Sequence, residues 1–469
     1  MEPVAVVVLA AGLGKRMGLD LPKVVVSTRE RPLIQHVLHS ATSLAPERIV
    51  VVTGHKREFV EAAVKDGAEA GLYSGEKITF MVQEQQRGTG DAMRSALPAL
   101  EGFNGTVVIL YGDVPLIKTK TLEALLTRHH TTKATLTLLS LKSDQQFAYG
   151  KVVRGKDGQI EKVVELKDCS PEQLLISELN SGFYAVDSAF LGPAVSELKN
   201  ENAQKEFYLT DIVERAVVEG QRVSSLVTHD ADEVQGVNTQ VELAAVNRAL
   251  LRSQIERCIA DGVIVEDMQS LFLDPDIVIE TGARIGPQVQ IRSGSKVGAG
   301  VTIEGSALIL RSTIGNDCRI KFGVRMEDAV LESNVSVGPF AHLRPGTRLG
   351  DDAKIGNFVE TKNALLHAGV KASHLTYLGD CEIGAESNIG AGTITCNYDG
   401  VRKHKTTIGE GVFIGSDTCL VAPVTISNGA YVGAGSVITK NVPEESLAFT
   451  RPPLVIKSGW AKRKGAAKE

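Results

Sequence analysis

Two hydrophobic rhythms divide this chain. In its first half, short aliphatic runs at Val4–Ala10, Arg48–Thr53, Ile78–Val82, Thr106–Tyr111 and Thr135–Leu141 read as strands. Amphipathic stretches at Leu33–Ser40, Glu58–Lys65, Asp91–Leu100 and Leu122–His129 alternate with them and read as helices. That order predicts a mostly parallel sheet covered by helices. Lys156-Asp157-Gly158, between two Val-rich runs, reads as a hairpin turn. The second half keeps a different beat. Aliphatic residues recur every six positions at Leu273, Ile279, Ile285, Ile291, Val297, Ile303 and Ile309. The beat slips by one to Ile314, slips again to Leu331, and returns from Ile408 through Ile438. A period of six is neither helical nor simply alternating. It fits a solenoid in which each hexapeptide forms one short face, its aliphatic residue points inward, and three faces close a triangular coil. Two interruptions are expected: near Thr361–Thr376, where the beat fades, and from Cys396 to Lys405, where a loop leaves the coil. Val241–Ala260, free of Gly and Pro, reads as a connecting helix. The expected organisation is an α/β domain over 1–230, a helical linker over 231–261, an all-β solenoid over 262–450, and a basic arm over 451–469.

Composition sharpens this picture. The chain has 46 glycines but only 16 prolines in 469 residues, and 5% aromatics. Glycine at tight solenoid corners and few bulky rings in a narrow interior suit the six-residue beat. A net charge of −5 leaves no gross basic surface for nucleic acid. The apolar run Val4–Ala11 is too short to span a membrane and lacks the basic start of a secretion signal, so a cytoplasmic protein is expected. Six cysteines without a CxxC pair point to free thiols.

The candidate chemistry of the first half lies at predicted strand ends, where open sheets of this kind bind ligands. Leu9-Ala10-Ala11-Gly12-Leu13-Gly14-Lys15-Arg16-Met17 would let backbone N–H groups approach phosphate, with Lys15, Arg16 and Lys23 supplying charge. It is neither a Walker A loop nor a dinucleotide fingerprint. Gln83 to Gly90 forms a polar, glycine-rich turn suited to a base or sugar, and Asp113 offers a carboxylate to a magnesium ion shared with phosphates.

These strings, with Gly88-Thr89-Gly90, Tyr111-Gly112-Asp113, Tyr149-Gly150, Val164-Glu165, Leu179-Asn180-Ser181-Gly182 and Gly236-Val237-Asn238, resemble the sugar-1-phosphate nucleotidyltransferases. The resemblance implies a Rossmann-like nucleotidyltransferase domain in which Asp113 and Asn238 hold Mg²⁺ and Arg16 and Lys23 neutralise UTP. Leu9, Ala10, Ala11, Gly12, Gln83, Gly88, Thr89, Tyr111, Gly112, Gly150, Glu165 and Asn180 would line the nucleotide and sugar pockets. Lys15 stands where that family usually carries Thr.

The six-residue beat resembles the left-handed parallel β-helix of hexapeptide-repeat acyltransferases. Leu343-Arg344-Pro345-Gly346, Gly356-Asn357-Phe358-Val359-Glu360, His374-Leu375-Thr376-Tyr377, Asn388-Ile389-Gly390-Ala391-Gly392 and Cys396-Asn397-Tyr398-Asp399-Gly400 extend the match. Together the halves resemble the bifunctional N-acetylglucosamine-1-phosphate uridylyltransferase/glucosamine-1-phosphate N-acetyltransferase family. That likeness implies His374 as a general base, an imidazole being able to exchange protons near neutral pH. It implies Arg344, Lys362, Tyr377 and Asn388 around glucosamine 1-phosphate, and Ala391, Asn397, Tyr398, Ser416, Ala434 and Arg451 around acetyl-CoA. It also implies a homotrimer formed through the β-helix. Two other readings use the same two-domain plan: a nucleotidyltransferase with a regulatory β-helix, and a non-catalytic subunit of a nucleotide-exchange complex.

Overall fold

A computed structural model describes residues 2–460 except 13, 15, 16, 19, 145 and 146. The chain divides into two compact units, at the junction of Leu250 and Leu251 within the helix Gln240–Ala260.

The first unit is built on a nine-stranded sheet. Its main path runs Val223–Thr228, Leu136–Lys142, Glu178–Asp187, Thr106–Tyr111, Val4–Leu9, Arg48–Thr53 and Ile78–Val82. Val4–Leu9 pairs in parallel with both Thr106–Tyr111 and Arg48–Thr53, and almost every residue of these strands is buried. Burial on both faces explains why they read as continuous aliphatic runs rather than alternating ones. Glu178–Asp187 runs antiparallel between the two parallel groups. The sequence reading contained no strand there, because Asn180 and Ser181 interrupt its apolar pattern. Its register shifts between Asn180 and Tyr184, and Gly182 sits at φ 85° within the shift. A Cβ on Gly182 would lie 2.6 Å from the Tyr111 ring, so the bulge and the strand-end tyrosine depend on glycine together. The expected hairpin forms between Lys151–Arg154 and Ile160–Val164.

The second unit is a parallel β-helix. Most strands are two to four residues long and pair with the third strand that follows, as Arg284–Ile285 does with Thr302–Ile303 and then Thr302–Ile303 with Arg319–Ile320. The inward residues form three columns, Leu273–Ile291–Ile309, Ile285–Ile303–Ile320 and Ile279–Val297–Ile314, all fully buried in one continuous core except the partly buried Ile279. Each such side chain contributes about 1.5–3 kcal/mol of hydrophobic burial. The one-residue slip leaves these columns intact: Val297 pairs with Ile314, and the shortened corner is turned by Arg311 at φ 44°.

The expected interruption at Thr361–Thr376 does not occur. Glu360–Leu366 and Lys371–His374 continue the coil, with Thr361, Ala364, Leu366, Val370, Ala372 and Thr376 buried inward. Small and hydroxylated residues replace the large aliphatics there, which hid the beat without breaking it. The second interruption is real. Cys381 pairs with Thr406 across an outward loop whose base carries a Tyr398–Lys403 bridge.

Candidate functional site

In the first unit, four strand ends come together at one edge of the sheet. Gly112 N donates to Leu9 O at 3.0 Å, Ala10 N to Val52 O at 2.8 Å, and Gln83 N to Thr53 O at 2.8 Å. Ala11 O accepts from Gln86 Nε2 at 2.5 Å, closing the glycine loop against the next turn. Gly14 takes φ 61°, and a Cβ there would lie 2.9 Å from Lys23 Cβ, so glycine lets the loop pass close to the lysine. Lys23 Nζ donates to Asp113 Oδ2 and, at 2.9 Å, to Asn238 Oδ1. The backbone sets up this convergence, since Val237 N donates to Asp113 O at 2.9 Å. Glu242 accepts from the backbone N–H groups of Asn238 and Thr239 at 2.6 and 2.8 Å, fixing the turn into the long helix. Arg16 and Lys15 lie outside the described residues.

Asn238 and Glu165 line a cavity of about 550 Å³ with Tyr149, Gly236 and Gln204. Glu165 Oε1 accepts from Thr210 Oγ1 at 3.1 Å, and burial raises its carboxyl above the ordinary glutamate value. Asn180 N donates to Gly150 O at 2.8 Å, and Asn180 Nδ2 donates to the buried Tyr184 hydroxyl at 2.7 Å. Asn180 Oδ1 is buried and, among the described residues, accepts from none. An orphaned acceptor of this kind is costly unless a ligand supplies the donor. Gly88 holds φ 110° against the Phe207 carbonyl, and Thr89 Oγ1 accepts from Leu209 N at 3.1 Å.

The same region stores a pH dependence. Burial, reinforced by Glu214, Glu165 and Asp168, pushes Asp211 from 3.8 up to about 6. The folded chain therefore favours its protonated form. That contribution is fully present below the ordinary aspartate value and is lost as pH rises through about 6. Asp211→Asn is expected to raise the melting temperature of this unit by about 2 °C near pH 8 and hardly at all near pH 4. Thermal scans of the two proteins across that range check it; equal gains at both ends would assign the effect to something other than ionisation.

In the second unit the decisive feature is a register column. Asn357 pairs with His374 on adjacent coils, and His374 Nδ1 donates to Asn357 Oδ1 at 2.7 Å. The Nε2 lone pair is thereby left as the acceptor. Continuing the pairings of Lys371 with Asn388, Asn388 with Phe413 and Phe413 with Tyr431, the same column passes through positions 391, 416 and 434. Ala391, Ser416 and Ala434 thus follow His374 along one corner, although they are unevenly spaced in the sequence. On the neighbouring face, Tyr377 pairs with Glu360 and Lys362 with Gly379. Glu360 accepts from Arg344 NH1 at 2.6 Å. The Lys403 ammonium and the Arg344 guanidinium hold half-buried Lys362 below its ordinary value. Cations converging in this way attract an anion, although Arg344 is also paired with Glu360. Asn397 is buried, donating to Asp380 Oδ2 at 2.5 Å at the base of the loop, while Tyr398 is exposed. Arg451 lies with its guanidinium carbon 5.5 Å from the Phe449 ring centroid.

Comparison with known proteins separates the two halves in the same way. The family described as "Nucleotidyl transferase" matches residues 5–235, and "Bacterial transferase hexapeptide (six repeats)" matches 328–363 and 405–440. "Bifunctional protein GlmU" of Geotalea uraniireducens (strain Rf4) is 44% identical over 465 residues, covering 99% of this chain and 100% of that protein. The protein of the same name from Pelobacter propionicus is 43% identical, covering 98% of each chain. That of Acinetobacter baumannii (strain AYE) is 43% identical, covering 97% of each. The chain belongs to the bifunctional GlmU family.

Three residues of this GlmU-family chain escaped the sequence reading of its sites. Asn357 was visible only as part of a motif, Lys403 as part of a loop, and Asp91 as a helix residue. Their positions depend on coil length and turn geometry, which spacing alone does not reveal. Gly356, beside Asn357, is equally constrained, because a Cβ there would lie 1.8 Å from the Ser373 carbonyl oxygen. Gly356→Ala must push adjacent coils apart beside His374. Misplacement on this scale costs about 10²-fold in rate. We expect acetyl transfer from acetyl-CoA to fall by that order while UTP-dependent pyrophosphate release is unchanged, measured on one preparation.

Proposed function

We propose that the chain acetylates glucosamine 1-phosphate with acetyl-CoA in its β-helix. It then transfers UMP from UTP to N-acetylglucosamine 1-phosphate in its α/β unit, giving UDP-N-acetylglucosamine and pyrophosphate. The observation that carries this reading is that candidate residues scattered along the sequence gather into two separate polar clusters, one in each unit. Assembly as a homotrimer through the β-helix and a cytoplasmic location belong to the same proposal. Among the described residues, no helix is long and apolar enough to cross a membrane.

For acetyl transfer, the sugar phosphate rests against Arg344 and Lys362, and Tyr377 and Asn388 orient the sugar. The neutral amine attacks the thioester carbonyl, His374 Nε2 takes the ammonium proton and passes it to the departing sulfur, and CoA leaves as its thiol. Asn357 holds the imidazole in the tautomer this requires. Ala391, Ser416 and Ala434 leave a low corner for the pantetheine arm, with Asn397, Tyr398 and Arg451 at the CoA end.

For uridylyl transfer, the sugar phosphate oxygen is already anionic and attacks the α-phosphorus in line, expelling pyrophosphate, so no base is needed. Catalysis is then positioning and charge neutralisation. Asp113 and Asn238 suit Mg²⁺, because both turn oxygens onto one cation, the Lys23 ammonium. When bound there, Mg²⁺ would neutralise developing charge on the triphosphate. Lys23 and Arg16 would bear on the same phosphates, and the Asn180 Oδ1 acceptor would take a donor from the sugar.

The test is to assay one purified sample for CoA thiol release from acetyl-CoA with glucosamine 1-phosphate and for pyrophosphate release from UTP with N-acetylglucosamine 1-phosphate. Both are expected. A sample with only one of the two activities would overturn the bifunctional reading.

A further inference from the structure

Asp91 is a buried carboxylate that the mechanism above does not use. Asp91, 5% exposed in the first turn of the helix Thr89–Ala96, is held by two groups from the preceding turn. Its Oδ1 accepts from Arg87 NH2 at 2.8 Å and its Oδ2 from Gln83 Nε2 at 2.9 Å. Gln83 Nε2 also donates to Gly88 O at 3.1 Å. Both amide hydrogens of Gln83 are therefore directed at groups that can only accept. A glutamine amide could otherwise flip and present either end. Here a flip would set its oxygen against a carboxylate and a carbonyl, so the amide is fixed with Oε1 as its remaining acceptor. Gln83 follows the strand Ile78–Val82, at the carboxyl-end edge where Ala11 and Gln86 meet. The arrangement is rigid as well: Phe207 N donates to Arg87 O and Gly90 N to Phe207 O, both at 2.8 Å.

We propose that Asp91 is a positioning residue that sets nucleobase selectivity by fixing the Gln83 amide. This rests on the nucleotidyl-transfer reading of the same unit. A base with a ring N–H opposite Oε1, such as uracil, can donate to it. Cytosine carries an acceptor lone pair at the corresponding N3 and meets oxygen with nitrogen. A site built around one hydrogen-bond polarity rejects the opposite polarity strongly, because a buried polar atom is left unpaired. Asp91→Asn would offer a side-chain amide that can either donate or accept. Gln83 could then present Nε2 to the base, opposed only by the Gly88 carbonyl, and discrimination against cytosine would weaken.

The experiment uses the full chain and compares kcat/KM for UTP and for CTP by pyrophosphate release, with acetyl transfer as an integrity control in the other unit. In Asp91→Asn the UTP/CTP ratio is expected to fall about tenfold or more, chiefly through KM, while acetyl transfer holds. Asp91→Glu keeps an acceptor-only group and is expected to retain most of the ratio, which also serves should the asparagine variant not fold. Equal losses for UTP and CTP would make Asp91 merely structural and overturn the proposal, as would a ratio that collapses in Asp91→Glu but survives in Asp91→Asn. Failure of the wild-type chain to turn over any nucleoside triphosphate would instead overturn the nucleotidyl-transfer reading itself.

Discussion

His374→Ala is expected to lower kcat for acetyl transfer by about 10²–10⁴-fold, the usual contribution of a positioned general base, and to leave UTP-dependent pyrophosphate release at the wild-type rate. The side chain is exposed and packs no core, so its removal should not disturb the coil. What it removes is the Nε2 lone pair that Asn357 leaves free by accepting from Nδ1. Asn357→Ala makes the argument sharper. The imidazole would survive but lose its fixed tautomer and ring orientation, so an intermediate loss in kcat with little change in KM is expected. The double variant should be no worse than His374→Ala, because both act through one proton acceptor. Steady-state CoA release in the three variants checks this. Wild-type acetyl transfer in His374→Ala would remove the base assignment. Additive losses would show that Asn357 contributes something other than orientation.

Legibility in the sequence followed how local the determining physics was. The β-helix could be read because one inward residue per hexapeptide repeats a local rule, and the loop after Cys396 could be read as a departure from it. The stretch at Thr361–Thr376 was misread for the same reason: Thr361, Ala364 and Ala372 meet the burial requirement with small side chains, which an aliphatic count overlooks. In the first unit, strands buried on both faces announced themselves, whereas Glu178–Asp187 carries a bulge and two polar residues and did not. Motif residues such as Lys23, Asp113 and Asn238 were legible through resemblance, but their convergence on one ammonium group was not. Asn357 and His374 lie seventeen positions apart, a spacing without meaning until the length of that coil is known. Asp91 was hidden because its effect passes through the orientation of another side chain.

Asp113→Ala is expected to reverse the selectivity of the His374 result, reducing pyrophosphate release by about 10²–10³-fold while sparing acetyl transfer. The sign of its effect on UTP binding separates its role from that of Lys23. In the folded chain the Lys23 ammonium is shared by two oxygens, one of them the Asp113 carboxylate. Removing that carboxylate leaves a less neutralised cation beside the triphosphate, so KM for UTP should change little or fall even as kcat collapses. Lys23→Ala does the opposite. It leaves an 8%-exposed carboxylate without its cation where phosphates must approach, and KM should rise. Chelation supplies the remaining arm. If Asp113 and Asn238 hold Mg²⁺, EDTA should silence the wild-type uridylyl reaction and cost Asp113→Ala little more than the substitution already does. Acetyl transfer should ignore the chelator in every variant. A strong residual EDTA effect in Asp113→Ala would place the metal on other groups, and an unchanged kcat would show that Asp113 serves only to hold Lys23.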